Sequence, residues 1–421
     1  MSEMTKITTL PTGLRVASET MPNVQTASVG IWVDVGARYE TQEVNGVAHM
    51  LEHMAFKGTA SRSAQMIAET IETVGGQLNA YTSREHTAYY ARVLAEDLPL
   101  AVELLADILQ HSTFDEGELA RERQVVLQEI GQVPDTPDDL VFDLVQETAC
   151  PGEPLGRSIL GPAEIVGAMP RDVLLHYMGH HYAPARMVLA GAGQVEHERL
   201  VELAGELFRE LPLAGEPDIE PAAYRGGELR QVRDLEQAHV ILGLPALSYL
   251  DDDFYALQVL SAMLGGGMSS RLFQEVREKR GLAYSVFSFA AAYRDAGVLG
   301  IYAGTGEKET AELVPVVCDQ LLDLIDRPGE EELKRARAQL KASLMMALES
   351  CFAQSEELAR HLLIFGRPVP PAEIVAKISA VDEDAIRRVG RRLLAGGVPT
   401  LTGIGPLGDL PDLDAITRRL Q

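Results

Sequence analysis

The most informative motif of the sequence is His49-Met50-Leu51-Glu52-His53, which lies within residues 45–58. Read as a helix, it places His49 and His53 one turn apart on the same face, so both imidazoles can reach one ion. Glu52 lies beside the pair, where its carboxylate can reach a water on that ion. Two neutral imidazoles and a nearby carboxylate are what a catalytic zinc site needs, and His-x-x-Glu-His is a motif of zinc enzymes. The stretch therefore predicts a metal centre on a helix.

The net charge of the chain limits the classes of molecule that it is expected to bind. Its 421 residues include 37 basic and 62 acidic side chains, for a formal net charge of -25. Nucleic-acid binding requires basic surfaces, so we expect no nucleic-acid partner. An acidic concave wall would attract basic peptides. The same acidity is equally typical of a surface that only keeps a protein soluble.

The cysteines indicate a reducing compartment. Cys150, Cys318 and Cys351 are odd in number and form no Cys-x-x-Cys pair, so neither a disulfide framework nor a thiolate zinc site is predicted. The first 20 residues show no apolar signal-peptide core. No apolar stretch approaches the roughly 20 residues that span a bilayer. We expect a cytoplasmic protein with no membrane partner.

Hydrophobic patterning predicts the same order of elements twice along the chain. Each half shows a strand, two helical segments, two strands and two longer helices. In the first half the first strand is residues 27–35, and the helix that carries His49 and His53 (the metal helix) follows it. The remaining elements are residues 63–74, 77–82, 87–94, 98–111 and 116–133. In the second half they are residues 240–244, 252–264, 271–280, 283–291, 298–303, 307–325 and 330–349.

This repetition indicates a duplicated α+β unit in which each copy is an antiparallel or mixed β-sheet packed with α-helices. We expect an N-terminal metal-binding domain over residues 1–215 and a homologous domain over residues 229–421. The intervening residues 216–228 lie in a Pro-, Gly- and Glu-rich segment and are the predicted linker. The second copy carries no metal motif, so only the first is expected to perform chemistry.

Two histidines leave a catalytic zinc site one protein ligand short. The helix predicted over residues 116–133 offers several carboxylates, of which Glu122 and Glu129 are two turns apart and face the same way. Spacing alone does not choose between these two. It also leaves other glutamates open as the third ligand, namely Glu118, Glu69 and Glu72.

Residues 47–59, VAHMLEHMAFKGT, resemble the inverzincin signature of the family that includes pitrilysin, insulin-degrading enzyme and mitochondrial processing peptidase. The length and the order of elements resemble its bacterial branch of about 420 residues, so the likeness covers nearly the whole chain. In that family the third ligand follows the second histidine by about 76 residues, and a supporting glutamate lies seven residues earlier. The resemblance implies zinc held by His49, His53 and Glu129, with Glu52 as general base and Glu122 supporting the site.

Two further segments resemble the same family. Residues 76–87, GQLNAYTSREHT, resemble its edge strand, to which a substrate backbone adds as an extra strand. Asn79 and Ala80 occupy the backbone-contact positions. In the second half, Arg277 and Tyr284 match an Arg and a Tyr seven residues apart that reach the substrate near the scissile bond. A guanidinium and a phenol can both donate to a substrate carbonyl or a developing oxyanion.

The residues and the resemblance together predict a zinc metallo-endopeptidase that hydrolyses extended, unfolded and basic peptides. In the family two such two-domain chains close into a clamshell, which implies a dimer, with a homodimer expected here. Two alternatives are a non-catalytic or heterodimeric subunit that presents peptides, and a peptide-binding chaperone that uses the edge strand. The substrate stays open, as does Mn or Co in place of Zn.

Several other sequence patterns are weak evidence for a functional site. His176 and His180 are also four residues apart, but no acidic residue lies between them. The run Gly265-Gly266-Gly267 lacks the Gly-Lys-Ser/Thr that follows in a phosphate-binding loop. The paired methionines Met345-Met346 are most simply core residues. The role of His86, next to the edge strand, stays open.

Overall fold

The computed structural model describes residues 4–212 and 219–421. The first part of the chain alternates strands with helices. Its elements are β1 (Thr5–Thr9), β2 (Arg15–Thr20), β3 (Thr26–Val33), α1 (Val47–Met54), α2 (Ala64–Thr73), β4 (Gln77–Thr82), β5 (Thr87–Leu94), α3 (Leu98–Gln110), α4 (Glu116–Gln132), α5 (Pro137–Ala149), α6 (Ala163–Ala168), α7 (Arg171–His181), β6 (Met187–Gly193) and α8 (His197–Leu207).

The second part repeats much of this order and then adds a helical segment. Its elements are β7 (Gly227–Val232), β8 (Ala238–Ala246), α9 (Phe254–Gly265), a π-helix (Phe273–Lys279), β9 (Ala283–Ala292), β10 (Gly297–Thr305), α10 (Thr310–Asp326), α11 (Glu330–Ala347), α12 (Cys351–Phe365), α13 (Pro371–Ala380), α14 (Glu383–Ala395), β11 (Thr400–Gly405) and α15 (Leu413–Leu420).

Two mixed sheets are present in the described residues, and they share one pattern of pairing. The first has the order β1-β2-β6-β3-β5-β4 and the second β7-β11-β8-β10-β9. In the first, β2 and β6 are parallel, and the steps from β6 through β3 and β5 to β4 are antiparallel. In the second, β7 and β11 are parallel and the steps to β8, β10 and β9 are antiparallel. The predicted α+β duplication with mixed sheets is confirmed.

Packing divides the chain into two compact units that interleave along the sequence. The first comprises residues 1–131, 158–219 and 345–371, and the second comprises 132–157, 220–344 and 372–421. Each unit thus includes a helix from the other half of the chain. The compact units therefore differ from the predicted halves 1–215 and 229–421, because sequence patterns do not show which sheet a helix covers. The linker boundary itself stays a prediction, and residues 216–218 of it lie outside the described part of the chain.

The exchanged helices cover the outer faces of the sheets. Alternation along β3 directs Val29 and Ile31 into the core beneath the first unit's own helices, and directs Trp32 to the opposite face. There α12 packs its buried Leu358 and Leu362 against Trp32. In the second unit, α5 packs in the same way on β11 and β8. The central strands β3, β6 and β11 are consequently buried on both faces.

Most predicted elements lie within a few residues of the observed ones, and β4 and β5 have the predicted bounds. One difference lies at the helix predicted over residues 271–280, where the π-helix Phe273–Lys279 replaces most of the α-helix. Met345 and Met346, expected in the core, are 43% and 64% exposed. Among the helices of the described residues, we find none with the length and apolar character required to cross a bilayer.

Candidate metal centre

The helix that carries the motif, α1, is anchored at its start by a carboxylate from outside the helix. Gly46 precedes the helix with φ 98°, and a side chain there would meet the carbonyl oxygen of Leu160 at 2.7 Å. Gly46 has no side chain to cap the helix, and Glu40 takes that role. Its two carboxylate oxygens accept from the N–H groups of Gly46 at 2.7 Å and Ala48 at 2.8 Å. The side chain of Asn45 also donates to Glu40, at 2.7 Å.

The helix brings the two histidines together with a glutamate of α4. Nε2 of His49 lies 3.8 Å from Oε2 of Glu129, and Nε2 of His53 lies 3.5 Å from the same oxygen. One donor atom from each of the three residues lies within 4.8 Å of the others. Of the two histidines and five glutamates that the sequence left open, these three residues form the group among the described residues that could hold a metal ion. We call them the metal-binding group.

The donor set fits zinc. Zinc in proteins is bound tetrahedrally by imidazole nitrogen and carboxylate oxygen at about 2.0–2.2 Å, which places neighbouring ligand atoms about 3.3 Å apart. The observed separations of 3.5 and 3.8 Å need only a small contraction to reach that spacing. Three protein ligands leave a fourth position for water or substrate, as in catalytic zinc sites. The chemistry and the spacing of the group therefore both suit a zinc ion.

The ring of His53 is held by Glu122, one of the two glutamates that face the same way on α4. Nδ1 of His53 lies 3.1 Å from Oε2 of Glu122, and Nζ of Lys57 lies 2.7 Å from Oε1. Glu122 is buried. A buried carboxylate needs such partners, because an unpaired charge is costly to desolvate. Glu122 thus holds the ring of His53, and Lys57 balances the charge of Glu122.

His49 is buried, and its environment favours the neutral imidazole. Burial, and next the neighbouring His53, lower the pKa of His49 to about 4. A neutral imidazole has a lone pair for a metal, which imidazolium lacks. His49 therefore presents a metal-binding nitrogen at neutral pH without prior loss of a proton.

Glu52 lies next to the three metal-binding residues and does not belong to the group itself. Burial raises the pKa of Glu52, whereas hydrogen bonds from the side chain and backbone of Thr82 lower it, and the nearby charge of Glu129 raises it. The net pKa shift is upward. A carboxyl group with a raised pKa beside a metal centre is suited to accepting a proton from water and giving it up again.

The strand β4 is the edge of its sheet, next to α1, as the sequence predicted. At its end, the N–H of Ser83 donates to the carbonyl of His86 at 2.8 Å. Hydrogen-bonded pairs alternate along antiparallel strands, so Ala80 and Thr82 point their backbone groups away from β5. The N–H of Ala80 accordingly donates to the side-chain oxygen of Asn79 at 2.8 Å. An open backbone edge thus runs beside the metal helix.

Among the described residues, the other residues considered in the sequence do not belong to the metal-binding group. Arg277 and Tyr284 lie in the second compact unit, where the guanidinium of Arg277 lies 4.4 Å from the centre of the Tyr284 ring. Tyr284 is 75% exposed. His86 belongs to the turn between β4 and β5, where its backbone bonds to Ser83. His176 and His180 stack with ring centres 6.2 Å apart and take no part in the metal-binding group of the described residues.

Three supporting residues escaped the sequence analysis. Glu40 caps α1 from outside the helix, Lys57 pairs with Glu122, and the hydroxyl of Thr82 donates to the carbonyl of Ala48 on α1. Lys57 offered a signal, because it lies one turn beyond His53 on the side of the predicted supporting glutamate. Glu40 and Thr82 offered none, since their contacts exist only in the folded chain.

Comparisons with known proteins identify the family of the chain. The model of the insulinase family (peptidase family M16) matches residues 15–163, and that of the peptidase M16 inactive domain matches residues 168–340. The first match contains the whole metal-binding group, and the second lies in the part of the chain without a metal motif. This division agrees with one copy of the duplication carrying the chemistry.

Relatives cover nearly the full chain. An uncharacterized zinc protease of Streptomyces coelicolor is 42% identical, over 96% of this chain and 90% of its own. A probable mitochondrial-processing peptidase subunit beta of Arabidopsis thaliana is 40% identical, over 99% of this chain and 81% of its own. The crystal structure of a protease from Helicobacter pylori has the same fold, with a TM-score of 0.87 at 24% identity over 96% of this chain and 99% of the other. The chain belongs to the insulinase family, peptidase family M16.

Proposed function

We propose that the chain is a zinc-dependent endopeptidase of the His-x-x-Glu-His type that hydrolyses extended peptides. The observation that carries the proposal is the convergence of His49, His53 and Glu129 next to the half-buried carboxylate of Glu52. The relatives named zinc protease and processing peptidase support it.

Each residue of the site would have a distinct task. His49, His53 and Glu129 would hold the zinc, which when bound supplies a Lewis acid that polarises a peptide carbonyl and acidifies water. Glu52 would take a proton from the attacking water on a carboxylate oxygen and deliver it to the nitrogen of the leaving amine. Glu122 would keep the Nδ1 proton of His53 in place, so that Nε2 faces the metal position.

The substrate would bind as an added strand along β4. A peptide in extended form can pair with the outward backbone groups of Ala80, and Asn79 would release the N–H that it now covers. Main-chain pairing selects extended, unfolded segments more than particular side chains. The formal charge of -25 favours basic peptides among these.

The assembly forms part of the same proposal. A homodimer that closes as a clamshell would enclose the peptide, and Arg277 and Tyr284 would act on a peptide in the partner copy's active site. The relatives named as a beta subunit leave a heterodimer with a second kind of chain as the competing arrangement. Sedimentation of the purified chain at assay concentration separates these cases. An active dimer of this chain alone supports the homodimer, and an inactive chain that needs a second kind of chain supports the heterodimer. A fully active, stable monomer would contradict both.

The test of the proposal is the variant Glu52→Gln, measured for zinc content and for cleavage of a quenched basic peptide of about twenty residues. Loss of a general base slows catalysis by about 100- to 10,000-fold, while the metal ligands stay intact. We expect the variant to retain zinc and to lose cleavage. If the wild type and the variant both hold zinc and neither cleaves, the chain is instead a non-catalytic or heterodimeric subunit. Peptide binding that survives removal of the metal, without cleavage, would indicate a chaperone.

A further inference from the structure

The edge strand β4 is held by the side chain of Tyr81, on the face of the sheet that α12 covers. The hydroxyl of Tyr81 donates to Oε1 of Glu356 on α12 at 2.5 Å, and it accepts from Nε1 of Trp32 on β3 at 3.2 Å. All three residues belong to the first compact unit. The edge strand is thus joined by one hydroxyl group to a central strand and to the covering helix.

The register of the sheet brings the first two of these side chains together. Trp32 and Tyr81 stand opposite the same residue of β5, Ala88, one on each side of it. Residues that stand opposite one another across a sheet point to the same face, so the two rings flank the methyl group of Ala88. Because Ala88 is small and buried, the indole N–H can reach the phenol oxygen across it.

The bond between Tyr81 and Glu356 is of a strong kind. Both side chains are half-buried. Burial raises the pKa of Tyr81, and the hydrogen bond to Glu356 raises it further, so the phenol keeps its proton and donates it to the carboxylate. Hydrogen bonds from a hydroxyl to a carboxylate are shorter and stronger than those between neutral groups, and the observed 2.5 Å lies in their range. The contact therefore restrains β4 from the side of α12.

Tyr81 lies between the two residues whose backbone groups face the open edge. Ala80 and Thr82 point their backbone groups away from β5, whereas the backbone of Tyr81 pairs with Ala88. An edge strand has a neighbour on one side only, so its backbone opens more easily than that of a central strand. The hydroxyl of Tyr81 adds a second hold. A strand that is already ordered loses less entropy when a peptide adds to it.

We propose that Tyr81, held by Glu356, is a positioning residue that keeps the edge strand ready for the addition of a substrate peptide. This inference rests on the proposed function, and in particular on peptide pairing along β4. It gives α12, whose Glu356 is 275 residues further along the chain, a part in substrate binding. Because the hydroxyl acts on the face of the sheet opposite α1, it should affect the binding of the peptide and not the chemical step.

The test uses two matched pairs of variants. Tyr81→Phe removes only the hydroxyl, and Tyr90→Phe makes the same change on β5, where the ring of Tyr90 lies 6.3 Å from that of Tyr81. Glu356→Met removes the acceptor at similar size, and Glu356→Gln keeps an acceptor oxygen. For each we would measure kcat and KM on the quenched basic peptide, the thermal midpoint, and the Kd of the peptide in the Glu52→Gln background.

Tyr81→Phe and Glu356→Met should raise KM and Kd roughly three- to tenfold, because the peptide must then order the strand as it binds. Their kcat should stay within about twofold of wild type. Tyr90→Phe and Glu356→Gln should keep KM and Kd within about twofold. A cavity variant in the same unit, Leu200→Ala at a buried position of α8, controls for general loss of stability. It should lower the thermal midpoint and leave KM unchanged.

Three outcomes overturn the inference. They are an unchanged KM and Kd in Tyr81→Phe, an equal rise in Tyr90→Phe, and a rise in Leu200→Ala that matches its loss of thermal midpoint. Failure of the proposed function is recognised separately, from the zinc-loaded wild type. If the wild type binds the peptide and cleaves none, the proposed function is wrong and the Kd values decide this inference. If it also binds none, both are wrong.

Discussion

The Nδ1 atom of His53 lies 3.1 Å from Oε2 of Glu122, and this contact decides which nitrogen of the ring can serve a metal. A carboxylate accepts and does not donate, so Nδ1 must carry the proton. Nε2 then has the lone pair, and it faces Glu129 at 3.5 Å. Orientation of a metal-binding histidine by a carboxylate is a general feature of zinc sites.

This relationship predicts that Glu122→Gln weakens zinc binding. The amide keeps the size of the side chain but loses its charge and its ion pair with Lys57. We expect the zinc dissociation constant, measured by chelator competition, to rise roughly tenfold or more. The matched control is Glu118→Gln, since Glu118 lies on the same helix and pairs with Arg121. Equal zinc affinity in the two variants would contradict the role of Glu122.

The choice of third ligand predicts a larger effect at Glu129. Glu129→Gln should lower zinc content more than Glu122→Gln does, because it replaces a charged carboxylate of the metal-binding group by a neutral amide. Glu69 and Glu72, which spacing alone left open, are exposed on α2 and lie outside the metal-binding group. Glu69→Gln and Glu72→Gln should therefore bind zinc as the wild type does. A loss of zinc in either one, with Glu129→Gln unaffected, would reverse the assignment.

The external cap of α1 predicts a stability effect. Glu40→Ala leaves the buried N–H groups of Gly46 and Ala48 without their acceptor. Each unsatisfied buried donor costs about 1–3 kcal/mol, so for two donors urea unfolding should show a loss of about 2–6 kcal/mol. The exposed Glu43 in the same segment is the control, and Glu43→Ala should change the free energy of unfolding by at most about 0.5 kcal/mol. Similar values for both would show that Glu40 does not cap the helix.

A buried cluster after α1 predicts a dependence of stability on pH. Burial alone would raise the pKa of Asp107, but hydrogen bonds from Arg62, Thr59 and Ser61 lower it below the ordinary value of 3.8. The stabilisation is therefore complete above about pH 4 and is lost as the pH falls through the native pKa. Urea unfolding should show that Asp107→Asn is destabilising at pH 7 and less so at pH 3.

The control for this prediction is Asp252→Asn, which alters an exposed carboxylate. Its effect on the free energy of unfolding should be small at both pH values. An Asp107→Asn effect of the same size at pH 7 and pH 3 would show that the charge of Asp107 contributes nothing.

The exchanged helices predict a crossed pattern of local stability. Leu362 of α12 is 2% exposed in the core of the first unit, and Val145 of α5 is 3% exposed in the core of the second. Leu362→Ala should cost about 2–5 kcal/mol, and Val145→Ala less. Hydrogen exchange should then accelerate in β3 and β6 for the first variant, and in β8 and β11 for the second. Acceleration confined to the strands of the substituted residue's own half of the chain would contradict the exchange.

Much of the fold could be predicted from the sequence because it depends on local pattern. Strands β4 and β5 are short runs bounded by turn residues, so even their ends were predicted. The placement of α12 could not be, since nothing in its amphipathic pattern says which sheet it covers. The exposure of Met345 and Met346 was not predicted for the same reason: the helical pattern does not say which face of α11 is covered. Within the described chain, only Leu333 and Ala336 of α11 are buried.

In the candidate site, too, local sequence pattern predicts some residues and not others. His49, Glu52 and His53 share one helix, so spacing alone brought them together. Glu129 is 76 residues beyond His53, and spacing left it among five glutamates until the resemblance selected it. Glu40 and Thr82 act through contacts with backbone groups at the start of α1 that only the folded chain creates.

The measurement that tests the central claim most directly is a zinc titration of the chelator-stripped wild-type chain, followed by cleavage of the quenched basic peptide. We expect no cleavage without metal, and activity that returns in proportion to added zinc until about one zinc is bound per chain. Cleavage that persists in the stripped chain, or zinc that binds without restoring any cleavage, would contradict the proposed function.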